Sequence, residues 1–508
     1  MRRVSRSNTL FIQKRKGISN IQLFNNNWTT TGQRTDRNQC RWLENRAEER
    51  RQNSKRKQMN GIINLILFLV LNAYFFVFMF RYSARIKDPL NSSKYLLIEG
   101  TEMFFILLFA TGTLALSSSG GGHGTGGGLN LQAIRLLLLE VALLMSLFVC
   151  VEKPQWGPGT VVYLIYILWC VYTLTYASSF EYGFRYILKY LYPMIIMITA
   201  SAIVRDEQIF LACCVWARRV AIISALIGYF PFIARFFGGT FWYATALNLN
   251  YVTISITSFA LYYYYGKDKK DLILAILFVL PCILMVHRSG LLGMFSGLAV
   301  FMFLKHKWVS LPYIAGVLGI GLAIVFYVPA FHDKMFWKDT ENELTIQDLR
   351  EGNISEDEIR NNGREAIWKT LEREFYIGHE LKGSGIGSCQ KFLYDNPAGV
   401  KQTHGDFVQM RCDTGLIGFW LYMAVGIVVV IHCFIVCSRS YIPDYIKCCA
   451  MIAAGGIAGC FAAMYSENVV TYTMASTGFP FALYGMMLGM LNKVQKPDYQ
   501  YSERGFNF

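Results

Sequence analysis

The sequence predicts an all-α, polytopic integral membrane protein with about 12 to 13 transmembrane helices. Of its 508 residues, 54% are hydrophobic and only 16% are charged, a composition typical of membrane proteins. The apolar residues form repeated blocks of about 20, the length of helix that crosses a hydrocarbon core of about 30 Å. These blocks lack the alternation of half-buried strands. Helices are therefore expected to fill the bilayer.

The first 58 residues differ in composition from the rest of the chain. Residues 1–58 mix Arg, Lys, Asn, Gln and Thr with few apolar residues. Such a segment cannot bury enough surface to offset the entropy of ordering, so we expect a basic, disordered tail. Met59 opens the first apolar block, and we favour it as an alternative start of the native protein.

The apolar blocks divide the remaining chain. We predict membrane spans at residues 61–80, 96–116, 131–151, 160–178, 184–204, 209–231, 243–265, 271–286, 290–304, 311–330, 412–437, 445–465 and 470–491. The resulting parts are transmembrane helices over 59–330, an extracytoplasmic loop with short helices over 331–411, C-terminal transmembrane helices over 412–492 and a cytoplasmic tail over 493–508. The long loop is where we expect the chemistry.

Basic residues beside the spans orient the chain. Lys305 and Lys493 mark cytoplasmic ends, which puts the turn at Arg288 and the 331–411 loop on the outer face. This bias and the basic tail explain the net charge of +15 without a nucleic-acid partner. The same count puts the N-terminus outside, in conflict with that tail. A start at Met59, or a block among the first three that does not span, would remove the conflict.

The 13 cysteines lie mostly within apolar segments or at their ends. Cysteine in such surroundings acts as a small hydrophobic residue. The sequence contains no CxxC motif and no Cys/His set with the spacing of a metal site. We therefore predict no metal, no cofactor and no disulfide framework.

Two arginines are candidates for binding an anion. Arg288 lies in a turn between two apolar runs, where a guanidinium either snorkels to the surface or faces a polar cavity. Arg364 lies one turn before Trp368 on a predicted amphipathic helix, so it shares the packed face. The alternative is a surface salt bridge from this arginine to a neighbour such as Glu365 or Glu341.

His404 precedes a membrane helix and is the candidate base. The free N–H groups and the dipole at the start of a helix favour an anion such as a diphosphate. A lone histidine in a loop also fits an ordinary polar surface position. Asp406 either orients His404 or caps the helix, and Arg411 either adds to the anion site or snorkels.

The order and spacing of these motifs, from about residue 180 onward, resemble the O-antigen polymerase/ligase superfamily. Its ligase-type signature is His, Asn/Ser/Gln, nine residues, Gly, two residues and Gly/Thr/Tyr. The sequence has His404, Gly405, nine residues, Gly415, two residues and Gly418. Every fixed position fits except Gly405, and this departure disfavours a strict ligase.

Three further elements support the resemblance. They are the small neighbours of Arg288, the aromatic residue that follows Arg364, and a glycine-rich stretch before the histidine at Gly383, Gly385 and Gly387. The resemblance implies a GT-C-like, metal-independent glycosyltransferase whose donor glycan is carried on a polyprenyl diphosphate. Arg288 and Arg364 would stabilise the leaving diphosphate, and His404 would accept or orient the acceptor proton. Further candidates for substrate binding are Arg411, Asp406, Gly385 and Gly387.

The leading hypothesis is a polysaccharide polymerase of the bacterial inner membrane. It would transfer the lipid-linked glycan to a sugar hydroxyl of another lipid-linked repeat on the outer face, for capsule, O-antigen or exopolysaccharide. The alternative is an O-antigen ligase that uses another acceptor. A transporter of such lipids is disfavoured, because its charges would lie near the midplane of repeated, broken helices. Expected partners are the donor, the glycan acceptor, membrane lipid, a flippase and a chain-length regulator, with no nucleic acid.

Overall fold

The computed structural model describes the chain with gaps. The described residues are 70, 73, 83–90, 93–112, 117–118, 139–144, 147–148, 153–229, 241–242, 245–266, 268–284, 287–329, 332, 364–395, 402–471 and 476–495. All of them belong to the larger of two units of the chain, residues 67–508. The predicted tail at 1–58 lies outside the described residues. So do most of the predicted spans at 61–80 and 131–151 and most of the loop over 331–363.

The described residues are mainly helical. The helices are α1 (Gly100–Thr111), α2 (Pro158–Leu174), α3 (Phe180–Ile203), α4 (Glu207–Tyr229), α5 (Thr245–Tyr264), α6 (Lys269–Leu284), α7 (Arg288–His306), α8 (Leu311–Tyr327), α9 (Arg364–Leu371), α10 (Ser388–Asp395), α11 (Asp406–Ser438), α12 (Asp444–Ala463) and α13 (Gly478–Gln495). A 3₁₀ turn spans Lys307–Ser310 and a π-helical turn spans Glu372–Tyr376. The strands are β1 (Ser83–Lys87), β2 (Tyr95–Glu99), β3 (Ser117–Ser118) and β4 (Phe241–Trp242).

Among the described residues, four segments are long and apolar enough to cross a membrane. They are Phe180–Ile203, Arg288–Tyr327, Asp406–Ser438 and Asp444–Ala463. The second contains α7 and α8, which are separated by the 3₁₀ turn where Lys307 has a φ of +52°. The predicted all-α, multi-pass membrane class is confirmed. The number of 12 to 13 spans stays a prediction, since part of the chain lies outside the described residues.

The chain between the predicted spans at 61–80 and 96–116 contains a β-hairpin. Strands β1 and β2 are antiparallel, with Lys87 opposite Tyr95. Helix α1 begins only at Gly100, so the predicted start of this span at residue 96 is wrong. A short apolar run such as Leu-Leu-Ile fits either a strand or the first turn of a helix, and only its pairing with β1 decides between them.

Helices α7 and α12 cross with their backbones in close contact. A Cβ on Gly293 would lie 2.8 Å from the carbonyl oxygen of Gly459, and one on Gly297 would lie 2.6 Å from that of Gly455. Both helices thus carry a small-residue motif of four-residue spacing, which lets membrane helices approach closely. The two contacts run in opposite directions along the helices, so the start of α7 lies beside the end of α12.

Helix α12 is central in the described bundle. It packs against α5, α7, α11 and α13, and nearly all of its side chains from Ile446 to Ala463 are buried. Helix α13 packs closely on α3, where a Cβ on Gly489 would lie 2.4 Å from the carbonyl oxygen of Val204. The segment between α12 and α13 therefore connects two helices that are both tightly packed in the bundle.

Helix α11 is interrupted at Gly415. This residue has a φ of +70° and a ψ of −175°, so the helix consists of two parts that meet at a kink. The residues just before the glycine-rich stretch bind at this kink. The N–H groups of Leu416 and Ile417 donate to the carbonyl oxygens of Glu380 and Leu381, at 2.8 and 3.2 Å. The donors freed by the kink are satisfied in this way.

We predict that Gly415→Ala destabilises the protein strongly. A backbone with positive φ and ψ near 180° is essentially restricted to glycine and costs another residue about 1–3 kcal/mol. The new Cβ would also lie 2.2 Å from the carbonyl oxygen of Leu381. Thermal unfolding in detergent should therefore shift to lower temperature. Gly319→Ala on α8 is the matched control, because nothing lies within 4 Å of its Cβ position. Equal melting of the two variants would contradict the role of the kink.

Candidate functional site

The site is built around residues 464–470, which follow α12. This segment contacts the turn before α7, the start of α9 and the start of α11. These three helix ends come from distant parts of the sequence, and they carry Arg288, Arg364 and Asp406. The 464–470 segment therefore brings together the regions that the sequence singled out.

Arg364 is the first residue of α9, and its guanidinium is bound at two points. One terminal nitrogen donates to the carbonyl oxygen of Ser466 at 2.6 Å, and the other donates to the carboxylate of Glu467 at 3.2 Å. The predicted helix is confirmed, but its arginine pairs with Glu467 rather than with Glu365, which forms an ion pair with Lys369. The Arg364–Glu467 pair is largely buried, so the alternative of a surface salt bridge is wrong.

Glu467 also joins this cluster to the turn at Arg288. Its carboxylate lies 3.7 Å from Nε2 of His287 and accepts a hydrogen bond from the hydroxyl of Ser289. The ring of His287 in turn accepts from the N–H of Gly290 at 3.0 Å and so caps α7. Arg288, half-buried at the first position of α7, is thus flanked on both sides by residues that contact Glu467.

Asp406 has a different role from either alternative. Gly405 is the residue that caps α11, so the prediction of Asp406 as the cap is wrong. The Asp406 carboxylate instead accepts from the backbone N–H of Val470 at 2.9 Å, and its own N–H donates to the carbonyl oxygen of Met464. Because the side chain is buried, it can reach across to this segment rather than to solvent. Contact of Asp406 with substrate stays a prediction.

His404 lies at the start of α11 in an unusual backbone conformation. Its φ of +52° is in the left-handed region, which histidine enters more often than most residues but at some cost. Its Nδ1 is buried and has no hydrogen-bond partner among the described residues. Burial and the positive charge of Arg364 both lower the pKa of His404 below its ordinary value of 6.5. The imidazole is therefore neutral at pH 7 and can accept a proton.

Residues on either side fix the position of His404. Trp368 on α9 donates from its indole nitrogen to the carbonyl oxygen of Thr403 at 2.8 Å, and the hydroxyl of Thr403 bonds the amide oxygen of Asn468 at 2.9 Å. A Cβ on Gly405 would lie only 3.0 Å from the indole ring. Here the indole covers the position where the ligase signature has a larger side chain.

The glycine-rich stretch supports α11. Gly385 and Gly387 have φ values of +94° and +81°, and a Cβ on them would collide with the backbone of Ala177 and Gly183 at the α2–α3 turn. The carboxylate of Asp413 accepts from the N–H groups of Gly387 and Cys389 at 3.0 and 2.9 Å. These contacts give both glycines a packing role. Their contact with substrate stays a prediction.

Arg411 is paired within the protein. Its guanidinium forms an ion pair with Glu372 and lies 5.3 Å from the centre of the Tyr376 ring. Its Nε is buried and has no partner among the described residues. The arginine thus binds the π-helical turn to α11, and its participation in the anion site stays a prediction.

The sequence analysis did not identify Glu467 and Asp413. Both are carboxylates in the apolar C-terminal part of the chain, and an ionisable residue beside or inside a membrane span is by default a candidate for function. That signal was present in the sequence. Their partners, which lie more than 20 residues away or across the bundle, could not be predicted from the sequence.

Comparison with known family models gives one match. Residues 273–423 match the family model described as O-antigen ligase. This match supports a resemblance of that part of the chain to the O-antigen polymerase/ligase superfamily. Members of this family are membrane glycosyltransferase-like enzymes. No curated protein matches the chain significantly. The O-antigen ligase domain contains Arg288, Arg364 and His404, whereas Glu467 lies beyond it, and the resemblance expected from the sequence is confirmed.

We predict that Asp413→Asn destabilises the fold. An amide has only one oxygen to accept hydrogen bonds, so at least one buried N–H at the start of α10 loses its present partner. Leaving a buried donor unpaired costs about 1–3 kcal/mol, and melting in detergent should occur at lower temperature. Asp444→Asn is the control, since that carboxylate is 78% exposed. A loss of the same size in both variants would contradict this role of Asp413.

Proposed function

We propose that the chain is a polysaccharide polymerase. It transfers a glycan from a polyprenyl diphosphate to a sugar hydroxyl of another lipid-linked repeat, on the outer face of the bacterial inner membrane and without a metal. The observation that carries this proposal is that the 464–470 segment holds Arg364 and the Arg288 turn through Glu467, and holds the residue before His404 through Asn468. Arg364 also lowers the pKa of His404. Such a cation and a neutral imidazole suit a reaction that releases an anion and removes a proton.

The two arginines are the proposed site for the diphosphate. Cleavage of the sugar–phosphate bond increases negative charge on the leaving group. Fixed guanidinium groups in a partly buried site stabilise that charge more in the transition state than in the ground state. Arginine also matches phosphate oxygens with parallel N–H donors. Arg364 is already held in place before substrate binds, which reduces the cost of reorganisation.

His404 is the proposed base or hydroxyl-orienting group. The acceptor hydroxyl must lose its proton as it attacks the donor sugar, and a neutral imidazole can accept that proton near pH 7. The lowered pKa of His404 supports this role, because less of the residue is protonated at rest. The buried Nδ1 and the strained backbone are consistent with a side chain held for function.

An O-antigen ligase is the alternative, since it would use the same donor chemistry. The observation that favours a polymerase is Gly405, where the ligase signature has a side chain and this chain has the indole of Trp368 instead.

We predict that His404→Ala, Arg288→Ala and Arg364→Ala each reduce polymer formation by about 10²-fold or more, the usual effect of losing a general base or an anion-stabilising group. The variants are expressed at matched membrane levels in a host that lacks its own polymerase, and lipid-linked glycans are separated by size on a gel. A ladder in the wild type and single repeats in the variants are expected.

Arg373→Ala is the matched control for this experiment. That arginine belongs to the turn after α9 and is 71% exposed, so its loss should leave the ladder intact. Lipid-linked polymer that persists in the variants without reaching its final acceptor would indicate a ligase. Unchanged products in all three variants would contradict the proposed site.

We predict that kcat/KM falls at acid pH because His404 becomes protonated. Since its pKa lies below 6.5, the neutral form predominates at pH 7 and the midpoint of the decline should lie below pH 6.5. Initial rates of wild type and His404→Gln are compared over a range of pH on the same membranes. The residual activity of His404→Gln should lack this decline. The same acid limb in both proteins would assign it to another group.

A further inference from the structure

The negative charge of Glu467 is buried, so neighbouring groups must stabilise it. Its side chain is only 8% exposed, and it is approached by Arg364 at 3.2 Å and by His287 at 3.7 Å, with further hydrogen bonds from Ser289 and from the N–H of Asn468. Burial raises the pKa of Glu467, whereas Arg364 and the hydrogen bonds lower it. A buried charge is costly unless it is paired and hydrogen-bonded, and Glu467 has both an ion pair and hydrogen bonds.

The same contacts fix the orientation of Arg364. Ser466 and Glu467 hold the two terminal nitrogens of the guanidinium, one partner each. A guanidinium has five N–H donors in one plane. With that plane fixed and two donors occupied by described residues, three N–H groups remain for another acceptor. The side chain is 19% exposed, so the group is not fully enclosed by protein.

We propose that Glu467 is a positioning residue for transfer of the glycan. Its carboxylate fixes the plane of the Arg364 guanidinium and ties it to the turn that contains Arg288. The two cations then meet a single diphosphate at a set separation. This inference rests on the proposed function, and it adds a residue outside the matched O-antigen ligase domain.

A carboxylate beside an anion site is otherwise unfavourable. Glu467 offsets part of the charge of Arg364 and so weakens its attraction for a phosphate group. The benefit must therefore lie in orientation, which matters most in the transition state. Removal of the carboxylate should strengthen diphosphate binding, and it should slow turnover.

The kinetic test uses the full-length protein in detergent with a lipid-linked donor. Glu467→Ala should lower kcat by about 10²-fold, the effect expected of a small misplacement, while KM stays equal or falls. Glu467→Asp should recover part of the loss, because it keeps the charge. Asp271→Asn is the matched control, since Asp271 is 16% exposed in an ion pair with Arg218 that joins α4 and α6. Its kcat should stay near that of the wild type.

A second test needs no turnover. Affinity for a polyprenyl diphosphate without glycan is measured for wild type, Glu467→Gln, Arg364→Ala and the double variant. If Glu467 acts through Arg364, then Glu467→Gln should raise the affinity severalfold in the native background and leave it unchanged in the Arg364→Ala background. The same change in both backgrounds, or no change in either, would overturn the inference.

The two tests separate the inference from the proposed function. Diphosphate binding with this coupling but without polymer formation by the wild type would contradict the polymerase and support the positioning role. Polymer formation with normal kcat in Glu467→Ala would contradict the positioning role and leave the polymerase standing. A wild type that binds no polyprenyl diphosphate would overturn both.

Discussion

The close crossing of α7 and α12 is the constraint on which the site depends. Glycines at two positions on each helix allow backbone contact, and any side chain there would separate the two helices. Because the helices are antiparallel, this contact sets the start of α7 beside residues 464–470. His287 and Ser289 can then reach Glu467, and the turn with Arg288 has a defined place relative to α9. The geometry of the cluster therefore depends on these four glycines having no side chain.

The cluster balances charge against orientation. Arg364, His287 and Ser289 all approach one buried carboxylate, which without them would be strongly destabilising. That carboxylate reduces the net positive charge available to a diphosphate, but it holds the guanidinium in one plane. A preorganised cation contributes to the transition state without rearrangement at the moment of reaction. Fixed geometry, rather than the number of positive charges, is what this arrangement supplies.

The signature that begins at His404 has both a chemical and a structural part. The histidine contributes the imidazole, whereas Gly415 contributes a left-handed kink that no other residue adopts as easily. Thr414 lies at the same kink, where its carbonyl oxygen accepts from the indole of Trp169. The glycine-rich stretch packs beside this kink, and the carboxylate of Asp413 accepts hydrogen bonds from N–H groups at the start of α10. The spacing between the histidine and the glycine of the signature thus matches the position of the kink in α11.

The membrane class, most helices of the described bundle, and the choice of His404, Arg288 and Arg364 as candidates could be predicted from the amino-acid sequence. Blocks of apolar residues and cap signals are local, so they can be read from neighbours along the chain. The partners of these residues emerged from the helix packing. Arg364 pairs with Glu467 across 103 positions and Asp406 binds Val470 across 64, because helix packing brings these groups together. A guanidinium or carboxylate shows its charge in the sequence, but its partner depends on which helix ends meet in space.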